Sequence, residues 1–484
     1  MSGVSKNQFL KMYSKAIADG NSAIFVGAGM SVGSGMVDWR GLLREIATDL
    51  GLDVDEETDL IAVAQYEHNA RRGRHRLNTA IIDEFTRRAT LSINHKLMAQ
   101  LPVEVVWTTN YDTLIEKAYD NVDKRVDVKF SPAQLTSRLR NADVTVYKMH
   151  GDVSDPDHAV LTKDDYERYE VDNEAFTEIL RTDLTRNCFL FMGFSFTDPN
   201  IEYILSRLRR MLKGALPKHY CIMRRPQKPI GPKAVISEDL LRYKRDLARF
   251  KHRIVDLKRF GIKTVTINSF KEIEEMMQTL VRRAATKNVF VSGSAHDFLP
   301  LGKDKLESLA RRIGKELVFR GYNLVSGYGL GVGGDCILGA HEAAYHDKNA
   351  TAGQRLLLRI FPQDVPKGPE RDELYKRIRK EMAEQSGATI FLAGNKFDPV
   401  TGTVMMADGM GREFEQAKER NHVLIPVPCT GHMAAKIWGE IKSDLPKFFG
   451  AVDVTSEFAV LQDGGKTEDE WIEAIFSILG KMRK

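Results

Sequence analysis

Short apolar runs rich in β-branched and aromatic residues alternate along the chain with longer amphipathic stretches. Ala23–Val26, Glu104–Thr108, Val144–Tyr147, Phe189–Met192, His219–Ile222 and Thr264–Ile267 read as strands, and the periodic segments between them as helices. Strands separated by helical segments predict βαβ units and a parallel sheet. An amphipathic helix over Glu272–Arg283 closes this series, and the rhythm then restarts with Asn288–Val291, Asn323–Val325, Arg355–Ile360, Thr389–Leu392 and Val423–Val427. The charged stretch Arg282–Lys287 between the two series predicts a linker near residue 286. We therefore expect two α/β domains, residues 1–285 and 286–484. Residues 41–100 carry no strand pattern and predict a helical cap inserted into the first domain. No fixed-period repeat or low-complexity segment interrupts this pattern.

Composition narrows the class. A length of 484 residues would by itself suggest about three domains, and the helical insertion absorbs the surplus. With 43% hydrophobic residues the chain is too apolar for disorder. No run approaches the ~20 apolar residues of a membrane span, and the segment Met1–Gly20 carries charges where a secretory signal would carry an apolar centre. The four cysteines, Cys188, Cys221, Cys336 and Cys429, are widely spaced and form no CxxC pair. They predict neither a zinc ribbon nor a disulfide framework, and they fit a reducing, cytoplasmic setting. Net charge is +5, from 71 basic and 66 acidic side chains. That near balance suits small anionic ligands and is no nucleic-acid footprint.

Candidate chemistry sits at the strand ends. Ser22–Val26 runs into Gly27-Ala28-Gly29-Met30-Ser31 and on to Asp38-Trp39-Arg40. A buried strand ending in Gly-x-Gly brings backbone N–H groups close to a phosphate, and a following helix adds its positive end. The third glycine of a strict GxGxxG arrives one residue late, at Gly33, so a tight structural turn is the competing reading. Three further strands end in Thr108-Thr109-Asn110-Tyr111-Asp112, His150-Gly151-Asp152 and Gly193-Phe194-Ser195-Phe196-Thr197-Asp198. In an open parallel sheet these four ends line one crevice.

Together the four motifs, in this order over about residues 10–280, resemble the NAD site of the sirtuin fold. The resemblance implies a Rossmann-type parallel sheet and cleavage of the bond between nicotinamide and ribose. It implies that Asn110 orients the ribose hydroxyls and the attacking water, that His150 is the general base, and that Asp112 fixes the site by hydrogen bonding. Ala28, Gly29, Ser31, Asp38, Gly193, Phe194 and Ser195 would hold NAD+ as substrate. Deacylating sirtuins carry a zinc module with paired cysteines, which this chain cannot build, so no metal is expected. Leu161-Thr162-Lys163-Asp164-Asp165-Tyr166 looks like the bacterial sirtuin-like branch. Hydrolysis by water is therefore expected over lysine deacylation; a deacylase or a non-catalytic NAD-binding scaffold are the alternatives.

The second series carries Gly329-x-Gly331-x-x-Gly334 between a strand and a helix, while Arg359, rather than an acidic residue, stands at the next strand end. This half resembles the SLOG superfamily, nucleotide-sensing relatives of Lonely-Guy-type phosphoribohydrolases. Their PGG-x-GT-x-x-E loop corresponds to Asp408–Glu415, where the PGG is lost, which implies binding without turnover. A sirtuin-like domain joined to a SLOG domain resembles the Thoeris antiphage effectors. That resemblance implies a TIR-domain partner that makes a cyclic ADP-ribose isomer, activation when the isomer binds the SLOG domain, depletion of NAD and abortive infection. It also implies a homotetramer or higher oligomer, and ligand contacts from Arg379, Lys396 and Glu413, with Gly293, Ser294 and Gly331 nearby. Alternatively, Arg379 lies in the charged run Lys376–Glu381 and belongs to a solvated helix face.

Three signals lead elsewhere. His341 and His346 are five residues apart, which on a helix separates them by about 140° and prevents a shared zinc. Gly465-Lys466-Thr467 lacks the first P-loop glycine, since Val460 stands there. The basic run Arg71–Arg76 lacks interleaved aromatics and reads as a solvated face or an oligomer contact.

Overall fold

A computed structural model describes residues 3–229, 236–346, 351–362, 364–366 and 368–483, with the side chains of 236 and 237 also left aside. The chain forms two compact units, Met1–Val281 and Arg282–Lys484. Where a linker is expected, the helix Lys271–Ala285 instead runs on, and the first strand of the second unit starts at Asn288.

The first unit is built on seven strands: β1 (Ser22–Val26), β2 (Val105–Thr108), β3 (Val126–Lys129), β4 (Val144–Lys148), β5 (Cys188–Met192), β6 (His219–Arg224) and β7 (Ile262–Ile267). They are ordered β3-β4-β2-β1-β5-β6-β7, and every pairing is parallel. β1 is buried on both faces along its whole length, as a central parallel strand must be. Phe25, Trp107, Phe189 and Phe191 pack against Phe176, Leu180 and Leu184 of the helix Glu174–Arg186 and against Ile201, Ile204, Leu205 and Leu208. The last four recur at helical spacing along Pro199–Met211.

Register decides where the site lies. Val26 pairs with Thr108 and with Met192, and Thr108 pairs with Lys148. Four strands thus end level, and the loops beginning at Gly27, Thr109, Met149 and Gly193 leave from one edge. The chain leaves β1 toward β2 on one side and later enters β5 on the other, which makes this edge a topological switch point.

β3 is absent from the sequence reading because its pattern is disguised. Asp127 and Lys129 alternate with Val126 and Val128 yet are themselves buried, paired at 2.8 Å. The insertion between β1 and β2 is helical: Trp39–Leu42, Arg44–Asp49, Leu60–Arg71, His75–Phe85 and Ile93–Gln100. It has its own core, including Leu43, Ile46, Val63, Leu77 and Ile81, which extends onto Tyr111, Leu114, Ala159 and Leu161 of the sheet domain. Arg74 departs from the solvated-face expectation. Its guanidinium bonds both oxygens of Asp165 at 2.8 and 2.7 Å and the carbonyl of Ala159 at 2.6 Å, clamping the insertion to the helix Lys163–Asp172.

The second unit contains β8 (Asn288–Ser294), β9 (Asn323–Ser326), β10 (Leu356–Leu358), β11 (Ala388–Ala393), β12 (Asn395–Asp398), β13 (Thr403–Met406) and β14 (Val423–Val427). A five-stranded sheet runs β10-β9-β8-β11-β14, all parallel. β12 and β13 form a separate antiparallel hairpin that the sequence reading omits. The core joins Val289, Val291, Ile390, Leu392 and Ile425 of the sheet to Leu306, Leu309, Ile313 and Leu317 of the helix Lys303–Phe319.

Candidate functional site

The first glycine-rich turn is held against the β5 loop by backbone hydrogen bonds. Gly27 N–H donates to Met192 O and Gly29 N–H to Gly193 O, each at 2.9 Å. Gly193 has φ +64°, and a Cβ there would lie 2.4 Å from the amide nitrogen of Met30. Only glycine permits both this backbone conformation and this approach. After Gly27 comes a single helical turn, Ala28–Val32.

Beside it, the β2 loop is fixed by a chain of side-chain bonds. Asn110 Nδ2 donates to Ser31 Oγ at 3.0 Å, and Ser31 Oγ–H donates to Asp112 Oδ2 at 2.7 Å. Asp112 Oδ1 in turn accepts from Leu114 N–H at 3.0 Å. Ser31, Asn110 and Asp112 are all buried, and Asn110 Oδ1 has no hydrogen-bond partner. A buried acceptor left open costs about 1–3 kcal/mol, and such costs gather at sites that receive ligands.

A fourth residue, which the sequence reading did not single out, holds this loop from below. The fully buried Lys148 donates to the carbonyls of Tyr111 at 3.1 Å and Asp112 at 2.7 Å, to Glu116 at 3.1 Å, and to Asp152. Glu116 and Asp152 both act to keep its ammonium charged, against the cost of burial.

These loops border a cleft of about 630 Å³ lined by Ala28, Gly29, Asp38, Trp39, Arg40, Thr109, His150, Tyr166, Gly193, Phe194, Ser195 and Asp198, among others. Ser31, Asn110 and Asp112 line a small pocket of about 30 Å³ that shares Ala28, Trp39 and Thr109 with it. Seven of the ten sequence-selected residues of the first domain thus line the cleft, and Ser31, Asn110 and Asp112 line the small pocket beside it. Asp38 is partly spent as a helix cap, its Oδ1 accepting from Gly41 N–H at 2.9 Å. Ser195 is exposed, its Oγ bonded to Thr197 Oγ1 at 2.7 Å.

His150 is 1% exposed. Burial pushes it below the ordinary histidine value, while the charges of Asp198 and Asp165 pull the other way. It is therefore neutral at neutral pH and able to accept a proton. The rings of Tyr166 and Tyr169 stand edge-on to it, at 5.5 and 6.0 Å between centroids.

In the second unit the carboxyl ends of β8 and β9, the start of β12, and the helices Pro369–Gln385 and Asp408–Glu419 enclose a cavity of about 490 Å³. Gly293, Ser294, Arg379, Lys396 and Glu413 all line it, with Arg371, Tyr375, Tyr328, His296 and Phe397. Gly331 is not among the lining residues. With φ +77°, and with Ala295 O 2.1 Å from where a Cβ would lie, it shapes the loop behind them.

Arg379 does not lie on a solvated face. It is 9% exposed, with its guanidinium over the rings of Phe361 and Tyr375 at 5.3 and 5.7 Å. Its Nε is 3.7 Å from Glu413 Oε1. Glu413 also accepts from Ser292 Oγ–H at 2.6 Å. Burial raises the Glu413 carboxyl to about 6, although Ser292 and Arg379 both act to lower it. Lys396 pairs with Asp408 at the rim. Arg359 turns to Glu381, at 3.3 Å, and does not line the cavity. Among the described residues no cluster of His, Cys, Asp and Glu could hold a metal, and no helix is long and apolar enough to cross a membrane.

Two family models match the chain in succession. Residues 104–245 match a SIR2-like domain, and residues 272–482 match STALD, described as the Sir2- and TIR-associating SLOG family. The NAD(+) hydrolase ThsA of Bacillus cereus (strain MSX-D12) is 39% identical over 474 residues, covering 97% of both chains. The protein of the same name from Acinetobacter baumannii (strain 532279) is 40% identical over 90% of both chains. The one from Enterococcus faecium is 37% identical over 99% of this chain and 100% of its own. With its two parallel sheets, its SIR2-like and SLOG halves in that order and this near full-length identity, the chain belongs to the ThsA family of NAD(+) hydrolases.

Proposed function

We propose that the cleft of the first unit binds NAD+ and hydrolyses it to nicotinamide and ADP-ribose. The observation that carries this is the Asn110–Ser31–Asp112 chain, set with a buried neutral His150 along the same level row of strand ends. Nicotinamide leaves the ribose with the bonding electron pair and becomes neutral as it departs, so the leaving group needs little acid assistance. What the protein must supply is orientation, exclusion of stray water and a base for the attacking water. Asn110 has the amide to orient ribose hydroxyls or that water, and His150 takes the proton. Ala28, Gly29, Asp38, Gly193, Phe194 and Ser195 border the space for the rest of the dinucleotide.

The second unit is the sensor in this reading. A cyclic ADP-ribose isomer, made by a TIR-domain partner during phage infection, binds its cavity and switches on the hydrolase of a cytoplasmic homotetramer or larger assembly. NAD depletion then aborts the infection. Arg379 and Lys396 are suited to the pyrophosphate, and Glu413 to ribose hydroxyls or an adenine amine. Gly293 and Ser294 border the ligand, and Gly331 supports them. The reading is supported by membership of a family with a Sir2- and TIR-associating SLOG half and by the buried Arg379–Glu413 pair.

The test is product analysis. The full chain is incubated with NAD+, with and without cyclic ADP-ribose isomers and with no acylated peptide present. Nicotinamide and ADP-ribose should appear in equal amounts, and Asn110→Ala should abolish both. Nicotinamide release that requires an acyl peptide would contradict hydrolysis by water.

A further inference from the structure

The two ring nitrogens of His150 have different surroundings. Neither nitrogen completes a hydrogen bond among the described residues, but Nε2 lies 3.3 Å from the carboxylate oxygen Asp198 Oδ2, whereas no carboxylate is paired with Nδ1. Asp198 is itself held firmly. Its Oδ1 accepts from Ile201 N–H at 3.0 Å, capping the helix Pro199–Met211, and its Oδ2 accepts from the Tyr166 hydroxyl at 3.3 Å. Its side chain is only 10% exposed. Neither Asp198 nor Tyr166 is among the residues assigned to the hydrolysis.

We propose that Asp198 is the positioning residue for His150: its carboxylate, steadied by Tyr166, keeps the proton on Nε2 and leaves the Nδ1 lone pair to take a proton from the attacking water. The proposal rests on reading His150 as the base. In the step, the water oxygen bonds to the ribose carbon while the bond to nicotinamide breaks and its electron pair leaves with nicotinamide. The water proton passes to Nδ1. The resulting imidazolium keeps its Nε2–H toward the carboxylate of Asp198, which stabilises the charge without taking the proton. The proton on Nδ1 is released to solvent after the product leaves.

Every charged or titratable group facing His150 bears on the sign of the test. Asp165, Tyr166 and Tyr169 come from the helix Lys163–Asp172, Asp198 comes from the β5 loop, and Arg74 already engages Asp165. Asp198 is the largest influence acting against burial on His150. Losing its charge therefore lets the histidine fall further, and the acid limb of the rate profile moves to lower pH.

Asp198→Asn separates this role from the structural one, because asparagine caps a helix as well as aspartate does. The assay follows nicotinamide release by the full chain against pH, with NAD+ alone and with cyclic ADP-ribose isomers. For Asp198→Asn we expect kcat to fall about tenfold or more, KM to change little, the acid limb to shift down and the thermal midpoint to stay near the parent's. Asp198→Glu should recover part of the rate, and Tyr166→Phe should give a smaller loss in the same direction. Parent-like kcat and acid limb in Asp198→Asn would overturn the proposal while leaving the hydrolase reading intact. His150→Gln with full activity would overturn the underlying reading and this proposal with it.

Discussion

Within the two sites, the environments of His150 and Glu413 set testable pH behaviour. Burial drives His150 below the ordinary histidine value of about 6.5, so the neutral base persists into mild acid. The acid limb of kcat/KM for NAD+ should accordingly lie below pH ~6.5; a limb at or above that value would mean that a different group is titrating. Glu413, raised to about 6, has the opposite consequence for the second cavity. Below that value it is protonated and loses acceptor capacity, so calorimetric affinity for a cyclic ADP-ribose isomer should weaken between pH 7 and pH 5. The weakening should be absent in Glu413→Gln. The strand-end residues are legible in the sequence because level parallel strands force their following loops together. Asp198 is legible as the end of the fourth motif, but its meeting with His150 and Tyr166, and that of Lys148 with Tyr111, Asp112 and Glu116, is not, since these contacts form only through long-range folding.

At the scale of elements, the close contact between the β1 and β5 loops is the feature most sensitive to a single atom. Gly193→Ala must place a methyl group 2.4 Å from a backbone nitrogen while adopting φ +64°. The left-handed conformation alone costs about 1–2 kcal/mol, and the backbone contact can be relieved only by parting the two loops. Hydrolysis should be lost and the thermal midpoint lowered; parent-like NAD turnover in this variant would show that the loop spacing is unimportant. The elements the sequence reading missed share a cause. In β3, Asp127 and Lys129 satisfy each other inside the fold, so charge hides a buried strand. In the β12–β13 hairpin, Phe397, Val404, Met405 and Met406 are exposed, so it has no buried face to announce it. The central strands, apolar on both faces, are the easiest to read.

For the molecule as a whole, each unit carries a buried neutral histidine that couples folding to pH. His219 in the first unit and His422 in the second are both depressed to about 4 by burial. Between about pH 6.5 and 4 the unfolded chain binds protons that the folded units refuse, so stability falls as pH falls through that window, by up to about 3 kcal/mol for each histidine. Denaturant titrations across the window should show this slope, and His219→Asn and His422→Asn should each flatten it; an unchanged slope in both variants would exclude the coupling. In the proposed function, occupancy of the second unit's cavity governs hydrolysis in the first. The most direct test of this dependence is NAD+ hydrolysis titrated with cyclic ADP-ribose isomers in the parent, Arg379→Ala and Asn110→Ala. At least one isomer should raise parent activity, Arg379→Ala should need far more of it, and Asn110→Ala should stay inactive at every concentration. An Arg379→Ala response superimposable on the parent's, or hydrolysis that no isomer alters, would contradict it.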